Sequence, residues 1–287
     1  MWQIPGMIFY LLALLSPLAF AFGTVLQQRG TLRTAARDHE PRFLAQMLRQ
    51  PVWLLGVLVT VGAWALQAGA LRLGSLAVVQ ALQALSLVFA LPMGMGLTGQ
   101  RITRRSALAA GVTVAGLVVF VLLGQTRGGV TQPTSTAWII AGIAVAAGTA
   151  GLAWLGFTRY GAAAAALLGT AAGILFALQA ALTKLLVMEL SHGVLALLSD
   201  WPLYVLVAAA ALGFAVQQFS LKTGRLAPAL AALEAATLAA SVILAATVFD
   251  EDLSGGGYRF VGAIAGLCAA IGGVAALSYS RGRERRR

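Results

Sequence analysis

Residues 162–187 read AAAAALLGTAAGILFALQAALTKLLV, a run that holds one charge, Lys184, and no proline. A helix over this run is long enough to cross a bilayer, whose hydrocarbon core takes roughly 20 residues of helix. The rest of the chain agrees with it. Of 287 residues, 60% are hydrophobic and 10% charged, with a mean hydropathy of +0.87. A soluble domain carries roughly a quarter charged residues, which excludes a soluble protein with a large core.

Working outward, eight more segments qualify as spans. The nine expected helices are Pro5–Gln28, Pro51–Leu71, Ser75–Leu97, Ala107–Gly124, Ala137–Phe157, Ala162–Val187, Pro202–Leu221, Leu226–Phe249 and Phe260–Ser280. Residues 29–50 are too polar to cross, and Phe43–Leu48 within them suits a short interfacial helix. Ala19-Phe20-Ala21 looks like a signal-peptidase site, but Met1-Trp2-Gln3 supplies no basic n-region, so the first helix is expected to be retained. Cys268, the single cysteine, excludes a disulfide within the chain.

The net charge of +11 does not point to nucleic acid, because the basic residues flank apolar segments instead of forming an aromatic-interleaved patch. They fall in alternate loops. Arg29, Arg33, Arg37, Arg42 and Arg49 lie in one, then Arg101, Arg104 and Arg105, then Arg159, then Lys222 and Arg225. Arg281, Arg283, Arg285, Arg286 and Arg287 form the tail. Together these are sixteen of the 20 basic residues. Arg72, Arg127, Lys184 and Arg259 remain for the other side. The positive-inside rule then places the tail in the cytoplasm and the amino terminus outside, in a cytoplasmic (inner) membrane.

The chain also repeats. At an offset of 150, Leu71-Arg72-Leu73-Gly74-Ser75-Leu76-Ala77 lies over Leu221-Lys222-Thr223-Gly224-Arg225-Leu226-Ala227. Gln67 meets Gln217, Trp64 meets Phe214, and Ala115-Gly116-Leu117 meets Ala265-Gly266-Leu267. Phe20-Ala21 matches Phe176-Ala177 more weakly. With helix 5 between them, helices 1–4 and 6–9 enter the membrane in opposite senses. The expectation is an all-α integral membrane protein with nine transmembrane helices in two inverted repeats. Residues 1–124 form the first, with its basic cytoplasmic loop at 29–50. Residues 125–161 hold the linker and helix 5, and 162–287 form the second repeat and basic tail. Inverted repeats commonly build alternating-access transporters, with the substrate site near the midplane.

Gly23-Thr24-Val25-Leu26-Gln27-Gln28-Arg29-Gly30 resembles the end of the first helix in NIPA-like magnesium transporters. Leu73-Gly74-Ser75-Leu76-Ala77 resembles their next junction. Gly99-Gln100-Arg101-Ile102-Thr103, followed by Gly111 and Gly116, is similar to the turn and glycine-bearing helix of EamA-type transporters, with Phe249-Asp250-Glu251-Asp252-Leu253-Ser254 as its counterpart. The chain thus resembles the drug/metabolite transporter superfamily over nearly its whole length, and its span count resembles the NIPA branch. Two departures stand out. Ala63 occupies the place of a helix-2 glutamate, and Gln100 that of the acid in the turn. Both remove oxygen ligands that Mg²⁺ seeks.

Polar groups inside the spans are the candidate site. Glu234 is the only acid deep in a helix, where an ionisable group costs roughly 2.5–3.5 kcal/mol on insertion scales. Its expected role is proton or cation coupling, against a structural hydrogen bond. Gln67, Gln80, Gln83, Gln179 and Gln217 would line a cavity as a group, Gln80 and Gln83 sharing a helix face. Taken singly, each is as well explained by an interhelical hydrogen bond of about 0.6 kcal/mol. Trp64 and Phe214 are candidate aromatic walls. Lys184 is expected to snorkel or pair with Glu189 or Asp200, and Asp250-Glu251-Asp252 to be a solvated loop. His39 and His192 have no ligand spacing, and no metal or cofactor is expected. With no second convergent catalytic group, an enzyme is not expected. The expected partners are a small-molecule substrate and the lipid bilayer, with a homodimer left open. The expected function is alternating-access transport of a small polar solute or metabolite. NIPA-like Mg²⁺ transport and a non-transporting scaffold for envelope assembly are the alternatives.

Overall fold

The computed structural model describes residues 3–32, 49–98, 104–123, 127–128, 130, 133–189, 198, 200–222, 226–252 and 257–284. The described chain is helical apart from one pair of two-residue strands. Its helices are α1 (Gln3–Leu32), α2 (Pro51–Leu73), α3 in two pieces (Leu76–Gln83 and Leu85–Thr98), α4 (Arg104–Leu123) and α5 (Ser135–Phe157). Then come α6 (Gly161–Glu189), α7 (Trp201–Lys222), α8 (Leu226–Thr247) and α9 (Tyr258–Glu284). Each of the nine expected segments is therefore a helix among the described residues. Four of them, Met7–Gln27, Pro51–Leu73, Ser135–Phe157 and Ala163–Glu189, are long and apolar enough to cross a membrane. The other five carry apolar stretches of 10–17 residues. Phe43–Leu48, His39, His192 and Gly99–Thr103 lie outside the described residues.

Two departures from the expected boundaries matter. Helix 3 is broken by a turn at Ala84. Helix 8 stops at Thr247, where Val248 and Phe249 N–H groups both return to the Leu244 carbonyl. Asp250 then turns the chain at φ 51, in the left-handed region that Asp tolerates better than most residues. This turn delivers β2 (Glu251–Asp252), which pairs antiparallel with β1 (Arg127–Gly128), Gly128 opposite Glu251. Val130 N–H adds a bond to the Phe249 carbonyl at 2.7 Å.

The helices group into two compact units. The first is Met1–Leu73 with Leu82–Arg104, and the second is Gly74–Ala81 with Arg105–Arg287. In the first unit α1 packs on α2 and on the second piece of α3. Its α1–α2 seam is made by glycine: a Cβ on Gly23 would meet the Gly56 carbonyl oxygen at 2.9 Å, and one on Gly56 the Gly23 carbonyl oxygen at 2.8 Å. Gln27 Nε2 donates to Thr60 Oγ1 at 2.8 Å across the same seam. The Gly23–Gly30 motif thus lies where two backbones approach closely, as only small residues allow.

In the second unit α6 is the central helix, with 67% of its spanning window buried, and it packs on α5, α7 and α8. Gly173 lies against Thr237, whose hydroxyl donates to the Gly173 carbonyl at 3.2 Å. Ser220 Oγ donates to the Ala165 carbonyl at 2.7 Å, joining α7 to α6. Helix α4 meets α9 at a reciprocal crossing. A Cβ on Gly116 would come within 2.6 Å of the Gly266 carbonyl oxygen and of the Ala270 nitrogen. One on Gly266 would come within 2.7 Å of the Gly116 carbonyl oxygen and 2.8 Å of the Phe120 nitrogen. Both sets of contacts map onto each other at the sequence offset of 150.

Candidate functional site

The expected site residues divide between the two units. In the first, Gln83 is engaged: Ser16 Oγ, fully buried, lies 3.3 Å from its Oε1 and 3.2 Å from the Ala63 carbonyl. Ala63, where the resemblance places a glutamate, is itself fully buried. Gln67 is half-buried on α2. Trp64 is exposed and tilts against Phe20, with ring centroids 6.5 Å apart. In the second unit Phe214 is likewise exposed on α7.

The second unit holds Gln80, Gln179, Gln217 and Glu234. Gln179 on α6 and Gln217 on α7 are half-buried. Gln80 is buried on the first piece of α3, and its Nε2 has no hydrogen-bond partner among the described residues. Leaving a buried donor unmade costs on the order of 1–3 kcal/mol. Glu234 is half-buried on α8 next to Leu233, which with Ala236 and Thr237 lies against Gly173 of α6. Among the described residues Glu234 makes no hydrogen bond or ion pair.

A second polar constellation was not expected. Glu251, in the sequence a member of an acidic loop, is only 3% exposed. Its Oε2 accepts from Ser75 Oγ at 2.5 Å and from Ala77 N–H at 3.3 Å, and its Oε1 accepts from Leu76 N–H at 2.9 Å. Lys184 Nζ donates to Oε1 and forms the ion pair. Lys184 therefore neither snorkels nor pairs with Glu189 or Asp200. The reason is local. The first turn of α3 leaves N–H groups with no intrahelical acceptor, and a carboxylate there satisfies them and complements the helix dipole. Ser75 accepts in turn from Val78 N–H at 3.4 Å, the N-cap arrangement. The signal in sequence was Ser75 at a helix start and a Lys184 in need of an acid; which acid reaches both depends on the turn at Asp250.

The clamp continues into an aromatic chain. Lys184 Nζ sits 4.8 Å over the Phe249 ring. Trp138 meets Phe249 edge-on at 5.9 Å and Trp201 at 5.7 Å. Trp138 and Trp201 line a surface groove of about 390 Å³ with Pro133, Leu185, Glu189 and Pro202.

The fold and these polar groups define a helical, membrane-compatible protein of two compact units, with acids held within apolar surroundings. The chain is 34% identical to an uncharacterized protein of Corynebacterium glutamicum over 231 residues, 78% of each chain, and it belongs to the same family. No family model matches the chain, and no solved structure does.

Proposed function

We propose that this chain is a nine-span inverted-repeat protein of the cytoplasmic membrane, similar to drug/metabolite transporters, that moves a small polar solute by alternating access. The observation that carries the proposal is Glu234, a carboxylate on apolar α8 with no partner among the described residues. A group bearing several kcal/mol of burial cost with no structural bond in return marks a substrate or proton path by default. The buried, unpartnered amide of Gln80 in the same unit adds to it. Gln179 and Gln217 of the same unit would complete the lining. No catalytic role is proposed for any of them.

Membrane insertion is supported by the apolar side chains left uncovered. Only 17% of the spanning window of α5 is buried, and Ile139, Ile140, Ile143, Trp154 and Phe157 are exposed on it. Exposed patches of this kind require lipid or a partner. The repeat is supported by the reciprocal Gly116–Gly266 crossing, since an isologous contact of this kind is what a two-fold relation produces.

Orientation follows from the charge bias. A green-fluorescent fusion after Arg287 is expected to fluoresce, and an alkaline phosphatase fusion there to be inactive. The opposite pair of results overturns the topology.

A metabolite comparison of cells with and without the protein is expected to show a solute whose distribution changes. In reconstituted vesicles Glu234→Gln is expected to fold and express normally while abolishing coupled transport of that solute. Wild-type rates with an unchanged pH profile would make Glu234 a structural residue. Absence of any transported solute would favour the scaffold alternative.

A further inference from the structure

We infer that the Glu251 clamp is a gate on the membrane face opposite the basic loops, opening for a solute to pass; the inference rests on the transport proposal above. A buried ion pair is weak evidence for stability, and its best-attested use is to set a register or a switch. The Glu251 pair has the form of a switch. Everything that Glu251 holds belongs to other elements: Ser75, Leu76 and Ala77 at the start of α3, and Lys184 near the end of α6. Its own tether is short, a two-residue strand reached through the left-handed turn at Asp250.

The helix it grips is cut from the rest of its span. The turn at Ala84 separates Leu76–Gln83 from Leu85–Thr98. Residues 74–81 group with the second unit, whereas residues 82–104 group with the first. The bonds from Glu251 join that first piece to α6 and to the link between α8 and α9. Gln80, with its unpartnered amide, lies one turn beyond the clamped N–H groups of Leu76 and Ala77. Releasing the carboxylate removes three donors' worth of anchoring from α3 at once and frees the turn that carries Gln80. Lys184 lies over the Phe249 ring, which packs edge-on against Trp138 in the wall of the surface groove.

The test needs no known solute. In a Cys268→Ala background, Val79→Cys places a reporter on the clamped turn, where Val79 is 1% exposed. Ala171→Cys on α6, at 0% exposed, is the control. Right-side-out vesicles are treated with a membrane-impermeant maleimide, with and without the paired neutral substitutions Lys184→Met and Glu251→Gln. The paired variant is expected to label Val79→Cys about tenfold faster, with Ala171→Cys still protected. Should the paired variant fail to assemble, Ser75→Ala, which removes one donor and keeps the ion pair, is expected to give the same change at about threefold. Unchanged labelling of Val79→Cys in an assembled variant makes the clamp a fixed staple and overturns the gate. The transport proposal is then still decided by Glu234→Gln. Equal acceleration at Ala171→Cys signals general unfolding and overturns it as well.

Discussion

Glu251→Ala is expected to destabilise the protein by about 3–5 kcal/mol, the cost of leaving a buried charge without its partner. The charge left behind is Lys184, 7% exposed and set against the Phe249 ring. The same substitution strips Leu76 and Ala77 N–H and the Ser75 hydroxyl of their acceptor. Neutralising both partners together, as in Lys184→Met with Glu251→Gln, removes the stranded charge. It is expected to cost about 1–2 kcal/mol, the scale of the hydrogen bonds that a glutamine does not reproduce. Thermal unfolding in detergent, followed by circular dichroism, measures both. A single variant no less stable than the pair would mean that water or another acid reaches Lys184. Glu251→Asp provides a graded control, since it keeps the charge and withdraws it by one methylene.

Leucine at Gly116 or at Gly266 is expected to prevent α4 and α9 from closing, with a loss of about 3 kcal/mol or more, at or beyond the upper end for overpacking. Alanine alone brings a Cβ within 2.6 Å of backbone at Gly116 and 2.7 Å at Gly266, and backbone on a packed helix cannot rotate away as a side chain can. Because the two glycines meet each other, the two alanine variants are expected to cost similar amounts. The double variant is expected to cost less than their sum, since both disturb one crossing. Gly142→Ala on α5, where nothing lies within 4 Å, is expected to change stability by less than about 0.5 kcal/mol. Unequal effects at Gly116 and Gly266 would count against the two-fold relation. The same detergent melts supply the measurement.

The helical course of the chain was legible from residues 162–187 outward, because apolar length is a local property: each of the nine expected segments is a helix where described. Helix ends were legible only to within several residues. Helix 8 was expected to run to Phe249, but Phe249 turns its ring onto Trp138 and Lys184 and leaves the helix at Thr247. The turn at Ala84 carried no proline or glycine to announce it. Glu234 could be picked out as the acid inside an apolar helix, since an isolated charge in an apolar run is visible in one dimension. Gln83 could not be separated from Gln80 in that way. The two differ in their neighbours: Ser16 reaches Gln83, while nothing described reaches the amide nitrogen of Gln80.

Composition, charge alternation and the offset of 150 were enough to propose a membrane protein with a repeat, because each is a pattern of residue types along the chain. Gly116 and Gly266 could be aligned by that offset, yet only packing brought them against one another. Glu251 shows the division most clearly. In sequence it is one acid among three in a turn between helices, and acids in turns are ordinarily solvated. Tertiary structure decided that the middle one, turned inward by Asp250 at φ 51, reaches the open N-terminus of α3 and the amino group of Lys184. Ser75 and Lys184 stand 176 and 67 residues from Glu251 along the chain. Such a contact is decided by which helix ends the packing brings together, and no local pattern records it.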